Sequence, residues 1–396
     1  MARTLEKVLA ELESLISGHT DRKEEARILN LLTEIEAAQL NEVLLRVDLG
    51  DLIESLDDRS IGPDNRTELY NLLTVRRLAE LQVGARIAFV NALQKGPTTR
   101  HKERAISSIF LGTGGSDLTT VKNGIDAGDD YRDLQQLLFT DVDNHDIREG
   151  ILSHIQREAA DNRRSSVRAL SDIDDTFYAN LKDPRYPKGT TYPGVIRYYR
   201  ELVEGPDETA DDRGTLVFLT ARPKDRLGVV EGHSKRALRR RGLEEDFTVL
   251  SGDFLHLVGN SEIAEKKYAN FVQYRQLFPE YGFVFTGDSG QGDAVFGAKI
   301  RADFPEDVRG VFIHDVISHS QNERETWRSK GVVFFDTYVG AAVEAHRAGL
   351  ISRDGVQRVI GAAREELQAV PFGDAQQKQL REAELEKDIA SASELA

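Results

Sequence analysis

The sequence predicts an α/β fold: a parallel, Rossmann-like sheet with helical crossovers, preceded by an all-helical domain and followed by a helical tail. Three observations predict it. From Met1 to about Glu158, apolar residues recur at helical spacing without β alternation. From Asp161 to Leu350, short apolar runs alternate with helical stretches, the pattern of strands joined by crossover helices. Beyond Leu350 the chain is helical and charged again, and carries no motif. The 396 residues exceed one ordinary domain, so domains are expected at 1–158, 161–350 and 351–396.

Composition narrows the function. With 40% hydrophobic and 30% charged residues the chain is an ordinary globular one. It has no cysteine, which excludes disulfides, thiolate metal sites and cysteine nucleophiles. A formal net charge of -15 argues against nucleic acid as a partner and against bulk attraction to an anionic bilayer, although a local basic patch could still dock on one. No signal peptide is visible after Met1, and no apolar run approaches the roughly 20 residues of a membrane span, so a cytoplasmic location is expected.

In the N-terminal domain Leu5, Val8, Leu9, Leu12, Leu15 and Ile16 set a helical stripe, and later leucine-rich runs continue it, with breaks at Gly62-Pro63 and Gly96-Pro97. Gly112-Thr113-Gly114-Gly115-Ser116 has the composition of a phosphate cradle but lacks the ending of a P-loop. A turn between helices, capped by Ser116 or Asp117, is the favoured reading. Asp141 to Asp146 has metal-ligand residue types but stands just before a helical pattern, so capping is favoured there too. The default role for this domain is binding a protein partner or covering a substrate.

In the central domain the expected strands are Val167 to Leu170, Thr215 to Leu219, Phe247 to Leu250, Phe283 to Phe285, Val308 to Ile313 and Val332 to Phe335. Helices are expected at Val195 to Val203, Asp225 to Arg241, Lys266 to Leu277 and Asp293 to Ala302. Sites in such sheets lie beyond the carboxyl ends of the strands. The first strand runs into Ser171-Asp172-Ile173-Asp174-Asp175-Thr176. Crowded carboxylates repel unless a cation sits among them, and an all-oxygen set suits Mg²⁺. On strand spacing Asp172 and Asp174 share a face, which fits a nucleophile and a proton carrier. Asp175 is either a brace or a helix cap. The plainer alternative for the whole run is a turn leading into a helix.

Three further strand ends or helix starts carry chemistry. After the second strand comes Thr220-Ala221-Arg222-Pro223: the Thr220 hydroxyl could bind a phosphoryl oxygen and Arg222 could clamp an anion, or Thr220 could simply cap a helix. Lys266-Lys267 opens a helix, and a lysine near the nucleophile would hold a phosphoryl oxygen. After the fourth strand comes Gly287-Asp288-Ser289-Gly290-Gln291-Gly292-Asp293, where Asp288 could ligate a metal and Asp293 brace its water shell. Otherwise Asp293 is a helix N-cap.

This ordered set resembles the haloacid dehalogenase superfamily: D-x-D-x-T, a strand-end Thr, a Lys, then G-D-x-x-x-x-D. More narrowly, Ser171 to Thr176, Phe278-Pro279 with Phe283-Val284, Gly287 to Gln291, Phe312 to Val316 and Phe334 to Tyr338 resemble the catalytic domain of actin-patch-type phosphatidate phosphatases. Lys267 fits that spacing better than Lys266. The resemblance covers about half the chain and not the helical domain. It departs at Thr220 to Pro223 and at Ala294-Val295-Phe296-Gly297, which bears on the lipid substrate more than on the chemistry.

The resemblance implies a Mg²⁺-dependent phosphomonoester hydrolase with Asp172 as nucleophile and Asp174 as general acid and base. Asp172, the Asp174 carbonyl, Asp288 and Asp293 would form the metal site, with Thr220, Arg222 and Lys267 on the substrate. It implies phosphatidate, met at a membrane surface. The residues alone leave a soluble phosphate ester open, and also a binding module on an inactive phosphatase scaffold.

Overall fold

The computed structural model describes residues 4–18, 20–56, 64–127, 133–207, 213–223, 235–243, 247–252, 260–290 and 292–395, with the side chains of residues 220–223, 251–252 and 260–263 excepted. The chain divides into two compact units, residues 1–162 with 276–278, and residues 163–275 with 279–396.

The described residues of the first unit are helical, from Leu5–Ile16 to His145–Ala160, with no strand among them. Its stripes are buried as their spacing requires: Val8, Leu9 and Leu12 on one helix, Ile28, Leu31 and Leu32 on the next. Helix Gly115–Asp126 is capped by Gly114, not by Ser116 or Asp117. The Glu158 carboxylate accepts the Gly115 N–H at 2.7 Å, so the chain's own acid takes the place an anion would have there. Asn144 caps His145–Ala160 by accepting the Ile147 N–H. Gly96, at φ +70°, follows helix Val83–Leu93, whereas Gly62-Pro63 lies outside the described residues.

The second unit is a six-stranded, all-parallel sheet: β1 Val167–Ser171, β2 Thr215–Pro223, β3 Phe247–Gly252, β4 Gly282–Asp288, β5 Val308–His314 and β6 Val333–Phe335. The order across it is β3-β2-β1-β4-β5-β6. Strands are added outward from β1 to β3, then the chain returns to β1's other edge with β4. The gap between β1 and β4 is therefore the topological switch point, where parallel sheets place their ligands.

Helices α1 Val195–Glu204, α2 Asn260–Leu277, α3 Asp293–Asp303, α4 Gln321–Arg328, α5 Tyr338–Arg347, α6 Arg353–Ala369 and α7 Ala375–Ala392 complete the unit. The expected helix from Asp225 lies partly outside the described residues; residues 235–239 are helical. The tail after Leu350 shares the sheet's core. Val356, Val359 and Leu367 of α6 and Leu385 of α7 belong to one cluster with Phe218 and Val284. Among the described residues no helix is long and apolar enough to cross a membrane.

Strands run further than their apolar runs, and in β2 and β4 this moves site residues into the ladder. β2 continues to Pro223, so Thr220 and Arg222 stand within the strand and not beyond it. β4 continues to Asp288 because its ladder with β5 pairs Asp288 with His314. β1 stops at Ser171, so Asp172 and Asp174 both lie past the strand and its two-residue alternation does not govern them.

Candidate metal and catalytic site

At the switch point the chain brings together Asp172, one residue past β1, Asp288 at the end of β4, and Asp293 at the start of α3. One carboxylate oxygen from each lies within 4.8 Å of the others, and all three residues are buried. Lys267, from the second turn of α2, enters the same cluster. Its ammonium donates to Asp172 Oδ1 at 2.7 Å and to Asp293 Oδ1 at 2.6 Å, with the side chain 3% exposed. Lys266, one residue away, is only half-buried, so the spacing preference for Lys267 matches its placement.

Close packing explains the glycine before Asp288. A Cβ at Gly287 would stand 2.5 Å from Asp293 Oδ2, so only glycine lets that carboxylate approach. Asp293 Oδ2 in turn accepts the Asp288 N–H at 3.3 Å. Asp293 does not cap its own helix: Gly292, at φ 86°, is the N-cap, and Asp293 is the first helical residue, facing the cluster.

Charge in the cluster is unbalanced. Among the described residues, three buried carboxylates face one ammonium. Burial pushes the Asp172 carboxyl up to about 7, with Lys267 opposing the rise and Asp293 adding to it. Burial, then Asp293 and Asp172, hold Asp288 well above the usual carboxylate range, and Lys267 opposes them. Burial works against the Lys267 charge, yet Asp172 and Asp293 outweigh it and hold its pKa above the ordinary lysine value. Asp172 Oδ2 is buried with no hydrogen-bond partner. A divalent cation fits this donor set on three counts: all-oxygen ligands, an excess of two negative charges, and an orphaned carboxylate oxygen.

The neighbouring acids are spent differently. Asp174 is not one of the trio; its Oδ1 accepts from Tyr178 Oη at 3.0 Å and from Asn180 Nδ2 at 2.8 Å. Asp175 is no helix cap, since the next helix begins at Val195. It is buried at φ 58°, and its carboxylate collects the N–H groups of Asn180, Leu181 and Lys182 at 2.6 to 3.1 Å. It thus folds the loop after β1 back on itself, which brings Asn180 to Asp174. Its carbonyl takes a bond from the His314 ring at 3.1 Å. Burial, helped by Arg185, pulls His314 down to about 4, so the ring is neutral near pH 7, and Nδ1 is the donor.

Thr220 and Arg222 have their backbones on β2, but their side chains lie outside the described residues. Several supporting groups escaped the motif reading. Ser171 Oγ donates to the Asp172 carbonyl at 2.6 Å and meets Tyr199 Oη at 2.5 Å, and Tyr338 Oη donates to the Thr176 carbonyl. Ser289 Oγ bonds to Asp315 Oδ1 at 3.2 Å, and Arg324 joins Asp315 to Asp336. Asp315 and Asp336 stood within the family-like segments, but nothing in their spacing revealed that an arginine ties them together.

No family model, curated protein or solved structure matches this chain.

Proposed function

We propose that the chain is a phosphomonoester hydrolase of the haloacid dehalogenase type, working with Mg²⁺ through an aspartyl-phosphate on Asp172. One observation carries the reading: Asp172, Lys267, Asp288 and Asp293, from motifs spread over 122 positions, meet at the switch point of a parallel sheet in the arrangement that chemistry needs. Mg²⁺, held by Asp172, Asp288, Asp293 and the Asp174 carbonyl, would offset the charge that opposes an anionic nucleophile and an anionic ester.

The chain's own groups divide the remaining work. A carboxylate oxygen of Asp172 bonds to phosphorus as the ester P–O bond breaks. Asp174 gives its proton to the departing alkoxide, and for this its carboxyl exchanges Tyr178 or Asn180 for the leaving group. It then takes a proton from water, which attacks the phosphoryl group and restores Asp172. Lys267 stands beside the nucleophile to hold a phosphoryl oxygen. Thr220 and Arg222 are assigned to the substrate on their motif positions alone.

For the substrate we propose phosphatidate, hydrolysed to diacylglycerol by a cytoplasmic protein peripheral to the membrane. Family-like segments at the ends of β5 and β6, Phe312 to Val316 and Phe334 to Tyr338, support this. The test is phosphate release, with Mg²⁺, from vesicle-borne phosphatidate, a nucleotide, a sugar phosphate and p-nitrophenyl phosphate. Asp172→Asn should release none. Equal release by the variant and the wild type would overturn the covalent reading, and release from soluble esters only would move the substrate.

A further inference from the structure

We propose that His314 is a positioning residue: its ring, at the end of β5, ties down the loop after β1 in the form that presents Asp174 to the leaving group. The role of Asp174 rests on the function proposed above; the tie itself does not.

The loop needs such a tie. Asp175 stands at φ 58°, a conformation that costs any residue with a side chain, so its neighbours must hold it there. Its carboxylate gathers the N–H groups of Asn180, Leu181 and Lys182, and Asn180 in turn donates to Asp174. The aim of the Asp174 carboxyl therefore depends on how the Asp175 backbone is held. From β5, His314 Nδ1 reaches the Asp175 carbonyl at 3.1 Å.

The same ring meets the loop a second time, where Nε2 lies 3.0 Å from Arg185 Nη2. A carbonyl only accepts and a guanidinium only donates. Both contacts therefore demand one tautomer, with the proton on Nδ1 and the lone pair on Nε2. Arg185 is itself fixed: its Nε and Nη2 donate to the two oxygens of buried Asp183 at 2.9 Å each, and the Tyr192 hydroxyl donates to Asp183 at 2.9 Å. The Tyr192 ring meets His314 edge-on at 4.4 Å, and Phe335 stacks on it at 5.3 Å, so close packing resists rotation of the imidazole.

The main chain of His314 serves the other half of the site. It pairs with Asp288 in the ladder of β4 and β5, and its carbonyl accepts the Ser289 N–H at 3.0 Å. One residue thus joins the strand end that carries Asp288 to the loop that carries Asp174.

Two substitutions separate the ends of the ring. An asparagine amide ends near the place of Nδ1, and a glutamine amide near that of Nε2. His314→Gln should lose the bond to Asp175 and keep one to Arg185; His314→Asn should do the reverse. In the full chain, the amides of residues 180–182 should exchange with solvent about tenfold faster in His314→Gln, and at the wild-type rate in His314→Asn. Equal exchange in the two variants would overturn the tie.

Turnover tests the consequence. An alkoxide needs the Asp174 proton to leave, whereas p-nitrophenolate does not. In His314→Gln, kcat/KM should fall about a hundredfold for vesicle-borne phosphatidate, or for the sugar phosphate if only soluble esters are released, and stay within about threefold for p-nitrophenyl phosphate. His314→Asn should restore the alkyl ester. Equal loss on both esters, or no loss on either, would overturn the positioning role. Imidazole nitrogen NMR shifts of the wild type cover the case of a variant that fails to fold: His314 should be protonated at Nδ1 alone, and a proton on Nε2 would overturn the proposal. A wild type that hydrolyses no ester would overturn the reaction, and the exchange and NMR readouts would still decide the tie.

Discussion

Lys267 is fixed by two carboxylates, those of Asp172 and Asp293. Its removal leaves buried negative charge uncompensated, a situation that costs about 3–5 kcal/mol. Lys267→Met should therefore lower Tm sharply in a chelator. Mg²⁺ should restore more of the loss in this variant than it adds to the wild type, because the ion takes over the missing charge. Identical Mg²⁺ responses would place the ion elsewhere. Asp288→Ala should weaken Mg²⁺ affinity by calorimetry. Asp293→Ala should weaken it as well and also loosen Lys267, because Asp293 touches both Lys267 and the Asp288 N–H. Sequence spacing identified Asp172, Asp288 and Asp293 because each sits where an apolar run ends or a helix begins, and Lys267 by its motif distance, inside a helix that starts at Asn260 and not at Lys266 as the spacing suggests. It could not show that Asp293 faces inward, or that Asp174 is held by Asn180, since both depend on the glycine-permitted approach at Gly287 and the loop wound around Asp175.

At the scale of elements, α7 is docked through a charge that its surroundings disfavour. Thr337, the N-cap of α5, donates to Asp388 Oδ2 at 2.7 Å. Burial raises the Asp388 pKa, the Thr337 bond opposes the rise, and Asp336 adds to it, with Lys387 again opposing. A carboxyl whose folded pKa lies above its unfolded value binds more protons when folded. Its effect favours folding below the unfolded pKa, and this is lost as pH rises through the folded pKa. Asp388→Asn keeps an acceptor for Thr337 and has no charge to bury. It should raise Tm at pH 7, and the gain should shrink as the pH falls through the carboxylate range. A Tm gain independent of pH would mean that packing, not charge, limits this contact. The six strands were legible because buried parallel strands are short apolar runs. Their carboxyl ends were not, since the ladder carries on through polar Thr286, Asp288 and His314, which hydropathy assigns to loops. That α6 and α7 complete the sheet's core was equally hidden, because charged outer faces mask their apolar stripes.

For the whole molecule the question is how a chain of net charge -15 would reach an anionic lipid. Among the described residues the structure has no helix able to cross a bilayer, so a local patch must serve. The segment Lys235 to Arg241 is the densest run of cations in the sequence, and the structure sorts its members. Arg236, Arg239 and Arg240 are exposed. Arg241 is not part of that surface: its guanidinium lies 4.0 Å from the ring centre of Tyr178, whose hydroxyl donates to Asp174. Removing Arg241 would confuse docking with chemistry, so the informative variant neutralises Arg236, Arg239 and Arg240 and spares it. Each exposed cation near an anionic surface contributes on the order of 1 kcal/mol, so losing three should cut vesicle affinity by about a hundredfold at low salt. The apparent KM for vesicle-borne phosphatidate should rise accordingly, while p-nitrophenyl phosphate is hydrolysed as before. Equal loss on both substrates would assign these arginines to the fold or the site. Failure of the wild type to bind anionic vesicles at low salt would take the lipid away as substrate and leave the buried carboxylates and Lys267 to a soluble ester.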